Sequence, residues 1–227
     1  MKRLLIAIDG PAGSGKSTVA RLVAKRLGLR YLDTGATYRA AAWKAMQQRI
    51  SPDDRSAIGA ICRTLDLQIE PDPGRFRVFV EGQEITEQIR LPGVGEYASK
   101  ISSHPEVRGA LVAFQQSIAQ GRGIVVEGRD AQTVICPDAE LKVFLTASVE
   151  ERAKRRWLEL RAKHPEVELE AITKEVAARD ARDETRAASP LRAAQDAVVI
   201  NSDGLTADQV VSQIVTLARE RAIQPSR

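Results

Sequence analysis

The chain has 227 residues, and its 34 lysines and arginines against 30 aspartates and glutamates give a net charge of only +4. That length is ample for a hydrophobic core, and the two cysteines, Cys62 and Cys136, have no histidine or cysteine at metal-ligand spacing. We therefore expect buried free thiols in a cytoplasmic protein, with neither a disulfide framework nor a zinc site. No stretch is typical of a signal peptide or a membrane span, so we expect no membrane partner.

A glycine-rich loop follows the first predicted strand. The apolar run 4–8 leads into Gly10-Pro11-Ala12-Gly13-Ser14-Gly15-Lys16-Ser17-Thr18, and an apolar helical stripe over residues 19–27 comes next. This is the pattern G-x-x-x-x-G-K-[ST], in which backbone N–H groups and a helix N-terminus bind a polyphosphate. Lys16 is expected to reach the β- and γ-phosphates, and the Ser17 hydroxyl is placed for Mg²⁺.

A second anion site is predicted where the next helix begins. A short strand over residues 30–32 leads into Asp33-Thr34-Gly35-Ala36-Thr37-Tyr38-Arg39. The helix N-terminus, the Thr34 hydroxyl and the Arg39 guanidinium are all suited to a phosphate. A hydroxyl at this position is equally typical of a helix cap, so the sequence alone leaves both interpretations of Thr34 open.

The pattern then changes from alternating strands and helices to a small insertion. Residues 51–54 cap a helix to about residue 65, and the alternation between residues 67 and 86 predicts an antiparallel meander. Two helices follow, and the first of them carries Ser99. His104 precedes a proline and Arg108 lies one position from the apolar stripe of the second helix, so the pattern predicts both on the surface.

Charged residues close the next strand. Residues 123–127 form an apolar run that ends in Glu127, and Gly128-Arg129-Asp130 follows. Ligands of open α/β sheets bind outside the carboxyl ends of the strands. Glu127 is therefore expected to hold Mg²⁺ directly or through water. Two further strands are predicted at 141–145 and 197–201.

Arginines are concentrated in the region between the last two predicted strands. A helix from about residue 149 places Arg152 and Arg156 at i and i+4 on one face. Residues 163–166 interrupt the helical pattern, as a mobile lid would. Beyond the interruption, one helical side carries four charged residues: Arg179, Arg182, Asp183 and Arg186. Such a basic cluster could bind nucleic acid, form a solvated helix face, or bind an anionic phosphate substrate.

These elements predict an α/β fold of the phosphate-loop NTPase type, with three layers and about five parallel strands. A small β-containing insertion and an arginine-rich lid extend it. We predict a single domain over residues 1–227. Its core comprises 1–35, 121–160 and 190–227, the insertion about 36–120, and the lid about 157–186.

Several motifs together resemble the bacterial cytidylate kinases of the nucleoside monophosphate kinase family. They cover essentially the whole chain: residues 10–18, 33–39, 127–130, 137–139, 151–156, 179–186 and 189–191. The resemblance implies transfer of a phosphoryl group from ATP to CMP or dCMP with Mg²⁺, in pyrimidine nucleotide metabolism. It also implies that the insertion binds the nucleoside monophosphate, and that the protein is a monomer whose partners are these small molecules rather than nucleic acid.

The resemblance also implies roles for individual residues. Residues 10–18 would bind ATP, and the catalytic set would be Lys16, Arg129, Arg152, Arg156 and Arg182. The monophosphate would contact Thr34, Arg39 and Arg129, the cytosine Ser99, Arg108 and Asp130, and the sugar Arg179 and Asp183, with Arg186 closing over the nucleotide. This chain departs from the family pattern at Ala131-Gln132, where a bulkier apolar residue and Gly are more common, and at Thr34, where Ser is common.

Other functions are compatible with parts of the pattern. A related kinase could accept UMP, AMP or a non-nucleotide metabolite. A nucleotide-gated switch or a nucleic-acid-stimulated ATPase would also use a phosphate loop, although the sequence has no Asn-Lys-x-Asp element of the kind that GTPases use. The insertion and the Asp130 and Arg108 pair argue for cytidylate. A carboxylate accepts a hydrogen bond from the cytosine amino group and repels the carbonyl oxygen of uracil, and it is the resemblance that implies Asp130 faces the base.

Overall fold

A computed structural model describes residues 4–73, 75–91, 93–162 and 164–223. The strands are β1 (Leu5–Asp9), β2 (Arg30–Asp33), β3 (Leu67–Asp72), β4 (Arg75–Val80), β5 (Gln83–Glu84), β6 (Ile124–Gly128), β7 (Leu141–Thr146) and β8 (Val198–Asn201). The helices are α1 (Lys16–Leu27), α2 (Thr34–Gln47), α3 (Arg55–Thr64), α4 (Val94–Ile101), α5 (Pro105–Ala119), α6 (Val149–Arg161), α7 (Leu169–Thr185) and α8 (Ala207–Ile223). None of the helices in these ranges combines the length and the apolar character needed to cross a bilayer.

A five-stranded parallel sheet with the order β2-β6-β1-β7-β8 forms the centre of the molecule. Alternate residues of β1 point to opposite faces, as the strand period requires. Ile6 and Ile8 pack into a large apolar cluster with residues of α1 and α8, whereas Leu5 and Ala7 join a second cluster with Ala119 of α5. The predicted three-layer α/β fold with five parallel strands is therefore confirmed.

The ends of α1 follow from its glycines. Gly15, with φ of +86°, precedes the helix, and Gly28, with φ of +63°, ends it with a backbone N–H bonded to two carbonyls of the last turn. Left-handed backbone of this kind costs glycine little. The predicted apolar stripe is buried between these two caps, which fixes the helix N-terminus at the glycine-rich loop.

The predicted meander is the antiparallel sheet β3-β4-β5. Its apolar side chains, including Val78 and Val80, belong to the same apolar cluster as one face of the central sheet. His104 is buried rather than on the surface. The reason is that α3 packs across the start of α5, where Gly59 approaches Glu106 closely.

The break predicted between the lid helices is confirmed, because α6 ends at Arg161 and α7 begins at Leu169. Of the residues predicted to form it, Lys163 lies outside the described residues, as do 1–3 and 224–227 at the ends of the predicted core. A third, small apolar cluster joins the two helices through Ala153, Ile172 and Val176. The boundaries between core, insertion and lid stay a prediction. Both cysteines are buried free thiols, as predicted.

Candidate active site

The glycine-rich loop joins β1 to α1 at the carboxyl edge of the central sheet. A side chain at Gly10 would collide with the backbone oxygen of Leu145 at the end of β7. Gly13 lies near Arg152, whose Cβ and carbonyl oxygen are 3.1 Å from the position a Cβ would occupy. The loop therefore sits against β7 and α6.

Lys16 is buried at the start of α1, and its Nζ donates to the carbonyl oxygen of Pro11 at 3.2 Å. Burial, together with the positive charge of Arg129, lowers the pKa of Lys16 to about 7. Residues 10–18 contain no acidic side chain, so the loop itself does not compensate the charges of Lys16 and Arg129. The arrangement is typical of a site that receives a polyphosphate.

Glu127 lies beside the loop at the end of β6. Its Oε2 accepts a hydrogen bond from the Ser17 hydroxyl at 2.9 Å, and its other oxygen accepts one from the Tyr31 hydroxyl. Burial and the neighbouring charge of Asp33 raise the pKa of Glu127. A hydroxyl and a carboxylate side by side fit Mg²⁺, which binds through one or two protein oxygens plus phosphates and water. The described residues contain no cluster of three or more acidic, histidine or cysteine ligands.

Thr34 does not cap α2. Its hydroxyl donates to the carbonyl oxygen of Glu127 at 2.8 Å, and the residue preceding the helix is Asp33. The helix-cap interpretation of Thr34 is therefore wrong, and the hydroxyl is instead tied to the end of β6. Arg39, one turn into α2, pairs with the Asp33 carboxylate.

Arg108 and Asp130 form a buried ion pair, each with a side chain only 4% exposed. Arg108 also donates to the carbonyl oxygen of Ser102 at 3.2 Å, and Nη2 of Arg186 lies 4.0 Å from Oδ1 of Asp130. The prediction from the helical pattern that Arg108 faces solvent is wrong. An arginine can be buried when a carboxylate compensates its charge, and that partner comes from a different element.

Among the predicted acceptor-site residues and the adjacent Tyr38, five buried polar atoms have no hydrogen-bond partner in the part of the chain that the structure describes. They are the Ser99 hydroxyl, the Tyr38 hydroxyl, Nε of Arg39, Nε of Arg179 and Nη2 of Arg186. Buried polar groups are normally satisfied, so this concentration indicates a place where a polar ligand binds. A cleft of about 170 Å³ between α4 and the end of α7 opens here, lined by Ser99 and Arg186 among others.

Two ion pairs join α7 to the rest of the site. Nε of Arg129 lies 2.8 Å from Oδ2 of Asp183, and Nη1 of Arg152 lies 2.6 Å from Oδ2 of Asp180. Burial alone would raise the pKa of Asp183, but Arg129 overrides it and holds that pKa below its ordinary value. Burial and Arg129 lower the pKa of Arg179 to about 10.

Two predicted site residues lie at the rim rather than inside. Arg156 is exposed and pairs with Glu159 at 3.4 Å, and Arg182 is exposed at the cleft. By contrast, Arg152 is buried, and its Nη1 donates to the carbonyl oxygen of Ala12 in the loop at 3.0 Å. The structure thus brings Arg152 to the phosphate loop and leaves Arg156 and Arg182 at the entrance.

The sequence reasoning missed Asp9 and Asp180. Asp9 ends β1 as Glu127 ends β6, and that shared position was the available signal. Its carboxylate accepts hydrogen bonds from the backbone N–H groups of Ala131 and Gln132 at 3.0 and 2.8 Å. Burial raises the pKa of Asp9 to about 7. Asp180 gave no signal beyond the alternating charges of its helix.

The sequence of the chain matches the family model for cytidylate kinase over residues 6–220. A cytidylate kinase of Caldicellulosiruptor bescii is 48% identical over 217 residues, which cover 96% of both chains. A cytidylate kinase of Ligilactobacillus salivarius is 47% identical, covering 97% of this chain and 99% of that protein. A solved structure of an uncharacterized protein from Eubacterium ventriosum, 14% identical with a TM-score of 0.54, covers 96% of this chain and 99% of that one and shares the fold. On the strength of the family model and these relatives, the chain belongs to the cytidylate kinase family.

Proposed function

We propose that the protein transfers the γ-phosphoryl group of ATP to CMP or dCMP, giving ADP and CDP or dCDP. The observation that carries this proposal is the buried Arg108 and Asp130 pair, which lies beside unpartnered polar groups and one residue from Arg129 at the phosphate site. A kinase needs two anion sites facing each other, together with a means of recognising the acceptor. The elements that follow β1, β2 and β6 supply all three.

Asp130, Arg108 and Ser99 are the residues we assign to cytosine. The Asp130 carboxylate accepts from the amino group of cytosine, whereas the carbonyl oxygen of uracil at the same position is repelled. A buried mismatch of this kind discriminates strongly, because it leaves polar groups without partners. Arg108 pairs with the Asp130 carboxylate in a buried environment, and the unpartnered Ser99 hydroxyl is available to the base.

Thr34, Arg39 and Arg129 are assigned to the acceptor phosphate, and Arg179, Asp183 and Arg186 to the sugar and to closure over the nucleotide. Two of these arginines now pair with carboxylates, Arg39 with Asp33 and Arg129 with Asp183. A phosphate offers more negative charge than a carboxylate and suits the same guanidinium geometry. Binding of the acceptor would therefore rearrange pairs that already exist.

On the donor side, residues 10–18 bind the phosphates of ATP and Lys16 reaches the group that is transferred. Ser17 and Glu127 would hold Mg²⁺, directly or through water. When bound, Mg²⁺ neutralises charge on the phosphate oxygens during transfer. We assign Arg152, which is buried, to neutralise the same negative charge. Arg156 and Arg182 are assigned this role from the rim of the site. The acceptor is itself an oxyanion, so the chain needs no general base.

The ion pairs of α7 suggest that the lid excludes water. When both nucleotides are bound, a closed site directs the phosphoryl group to the acceptor rather than to water. We therefore expect ATP hydrolysis without an acceptor to be slow. Rapid loss of ATP in the absence of any monophosphate would contradict this role.

A substrate panel tests the proposal. Coupled release of ADP is measured with ATP and Mg²⁺ against CMP, dCMP, UMP and AMP in parallel, each with and without EDTA. We expect CMP and dCMP to give the fastest turnover, and chelation to abolish it. Faster turnover with UMP or AMP would point to a related kinase. Stimulation by a polynucleotide alone, with a steep dependence on salt, would point to a nucleic-acid ATPase.

We also propose that the protein is a monomer. Among the described residues, the exposed large hydrophobic side chains are spread over separate segments rather than gathered on one face of one element: Met46, Leu91, Leu158, Leu169, Val199 and Ile223. A stable oligomer interface would need a contiguous apolar patch. Light scattering after size-exclusion chromatography gives the mass directly.

A further inference from the structure

The segment that follows Asp130 is an unusual one. Residues Ala131–Ile135 form a single π-helical turn between β6 and β7. Side chains from two other elements hold it: Asp9 accepts the N–H groups of its first two residues, and Gln116 of α5 donates to the carbonyl oxygen of Val134 at 2.9 Å. The position of Asp130 is therefore fixed by the hydrogen bonds of this turn.

Gln132 belongs to the turn but reaches beyond it. It is fully buried, and its Nε2 donates to the carbonyl oxygen of Val143 in β7 at 2.6 Å. Its Oε1 accepts the backbone N–H of Ala194 at 3.1 Å. Ala194 lies in residues 186–197, the segment that connects the end of α7 to β8, and we call this the lid root. One amide thus joins the turn after Asp130 to the central sheet and to the lid root.

The lid root is also tied to the residues proposed to contact the nucleotide. The N–H of Leu191 donates to the carbonyl oxygen of Asp183 at 2.8 Å, and Nε of Arg186 donates to the carbonyl oxygen of Ser189 at 2.6 Å. The early part of the lid root is therefore hydrogen-bonded to Arg186 and Asp183, and its late part is hydrogen-bonded to Gln132. A shift of the turn that carries Asp130 must move the lid root or break the bond to Ala194.

We propose that Gln132 is a positioning residue that couples the acceptor-base pocket to the lid. A hydrogen bond from cytosine to Asp130 restrains this turn further, and Gln132 passes that restraint to the lid root through Ala194. The inference rests on the proposed function, since it takes Asp130 as the group that reads the base. The amide serves this purpose because it both donates and accepts, whereas an apolar residue of similar size would fill the space without either bond.

Backbone hydrogen exchange, with and without CMP, tests the coupling without relying on turnover. Gln132→Met keeps the volume and removes both hydrogen bonds. Gln116→Met is the matched control, because it removes a glutamine bond to the same turn but has no contact with Ala194. In the unaltered protein we expect CMP to slow exchange at 124–136 and also at 192–197, which lies beyond Arg186. In Gln132→Met, CMP should slow the first region only, whereas Gln116→Met should keep both effects.

A second variant protects the test against a folding defect in the first. Ala194→Pro removes the N–H that Gln132 accepts and leaves the buried amide in place, so we expect it to lose the CMP effect at 192–197 as well. If Gln132→Met and Ala194→Pro both retain that effect, the coupling is wrong and the proposed function stands. If CMP slows exchange in neither region of the unaltered protein, the cytidylate site itself is wrong, and this inference is overturned with it.

Discussion

The phosphate loop and the acceptor pocket are built in different ways. The loop is nine consecutive residues, and its glycine at position 10 is required because β7 lies against it. The acceptor pocket takes its side chains from α2, α4, α5, the end of β6 and α7. Three of its arginines, Arg39, Arg108 and Arg129, are paired with carboxylates, whereas Lys16 donates to a carbonyl oxygen.

The difference shows which part of the site depends on tertiary structure. Backbone N–H groups need only the local loop conformation to face a phosphate. Buried guanidiniums need carboxylates at defined distances, because an unpaired charge in the interior is strongly unfavourable. We therefore expect substitutions in the loop to reduce turnover most at its one charged side chain. In the pocket, we expect substitutions of the acidic residues that pair with its arginines to reduce turnover.

The largest effect is expected in the loop. Lys16→Met should lower kcat by about 100- to 1,000-fold, the loss typical when one group that stabilises developing charge is removed. Lys142→Met is the matched control, because Lys142 of β7 is also buried and pairs with Asp196, just before β8, rather than with a residue of the phosphate loop. Steady-state turnover with ATP and CMP measures both variants. Equal losses in the two would mean that the effect comes from folding and not from the transferred charge.

A smaller effect is expected where the lid meets the loop. Asp180→Asn keeps the shape of the side chain but removes the charge that holds Arg152. A hydrogen bond between charged groups is worth about 1.5–3 kcal/mol, so we expect turnover with CMP to fall by about 10- to 100-fold.

Hydrolysis of ATP without an acceptor should rise in the same variant, because the lid is no longer held at the phosphate loop. Asp138→Asn, which removes an exposed partner of Arg122, should change neither rate. A fall in turnover with no rise in acceptor-free hydrolysis would contradict the claim that the pair between Arg152 and Asp180 holds the lid closed.

The smallest effect concerns stability rather than turnover. Burial raises the pKa of Asp9 from its ordinary value of 3.8 to about 7. Between these values the native protein keeps a proton that the unfolded chain has released, so the contribution of Asp9 to stability falls as the pH rises. Asparagine cannot ionise, and we expect the free energy of unfolding of Asp9→Asn, relative to the unaltered protein, to increase by about 2 kcal/mol between pH 5 and pH 8. Urea unfolding at the two pH values measures this. A difference that does not change with pH would contradict the assignment.

Much of the fold could be predicted from local pattern. The stripe of α1, the meander of the insertion and the number of parallel strands follow from the spacing of apolar residues and from glycines such as Gly28. The loop and Glu127 could be predicted as well, because ligands of such sheets collect at the carboxyl ends of strands.

The burial of Arg108 and His104 could not be predicted in this way. Periodicity places Arg108 beside an apolar stripe, and only its partner 22 residues later makes burial favourable. Thr34 shows the same limit, since its hydroxyl meets the carbonyl of Glu127 rather than its own helix. Asp180 and Gln132 escaped prediction because their partners, Arg152 and Ala194, come from other elements.

The central claim is that the pocket around Asp130 selects cytosine, and the most direct test is the ratio of kcat/KM for CMP to that for UMP. Asp130→Asn can present either an acceptor or a donor to the base, so we expect the ratio to fall by at least about tenfold from that of the unaltered protein. Asp138→Asn should keep the original ratio. An unchanged ratio in Asp130→Asn, whatever its absolute rate, would contradict the claim that this carboxylate reads the base.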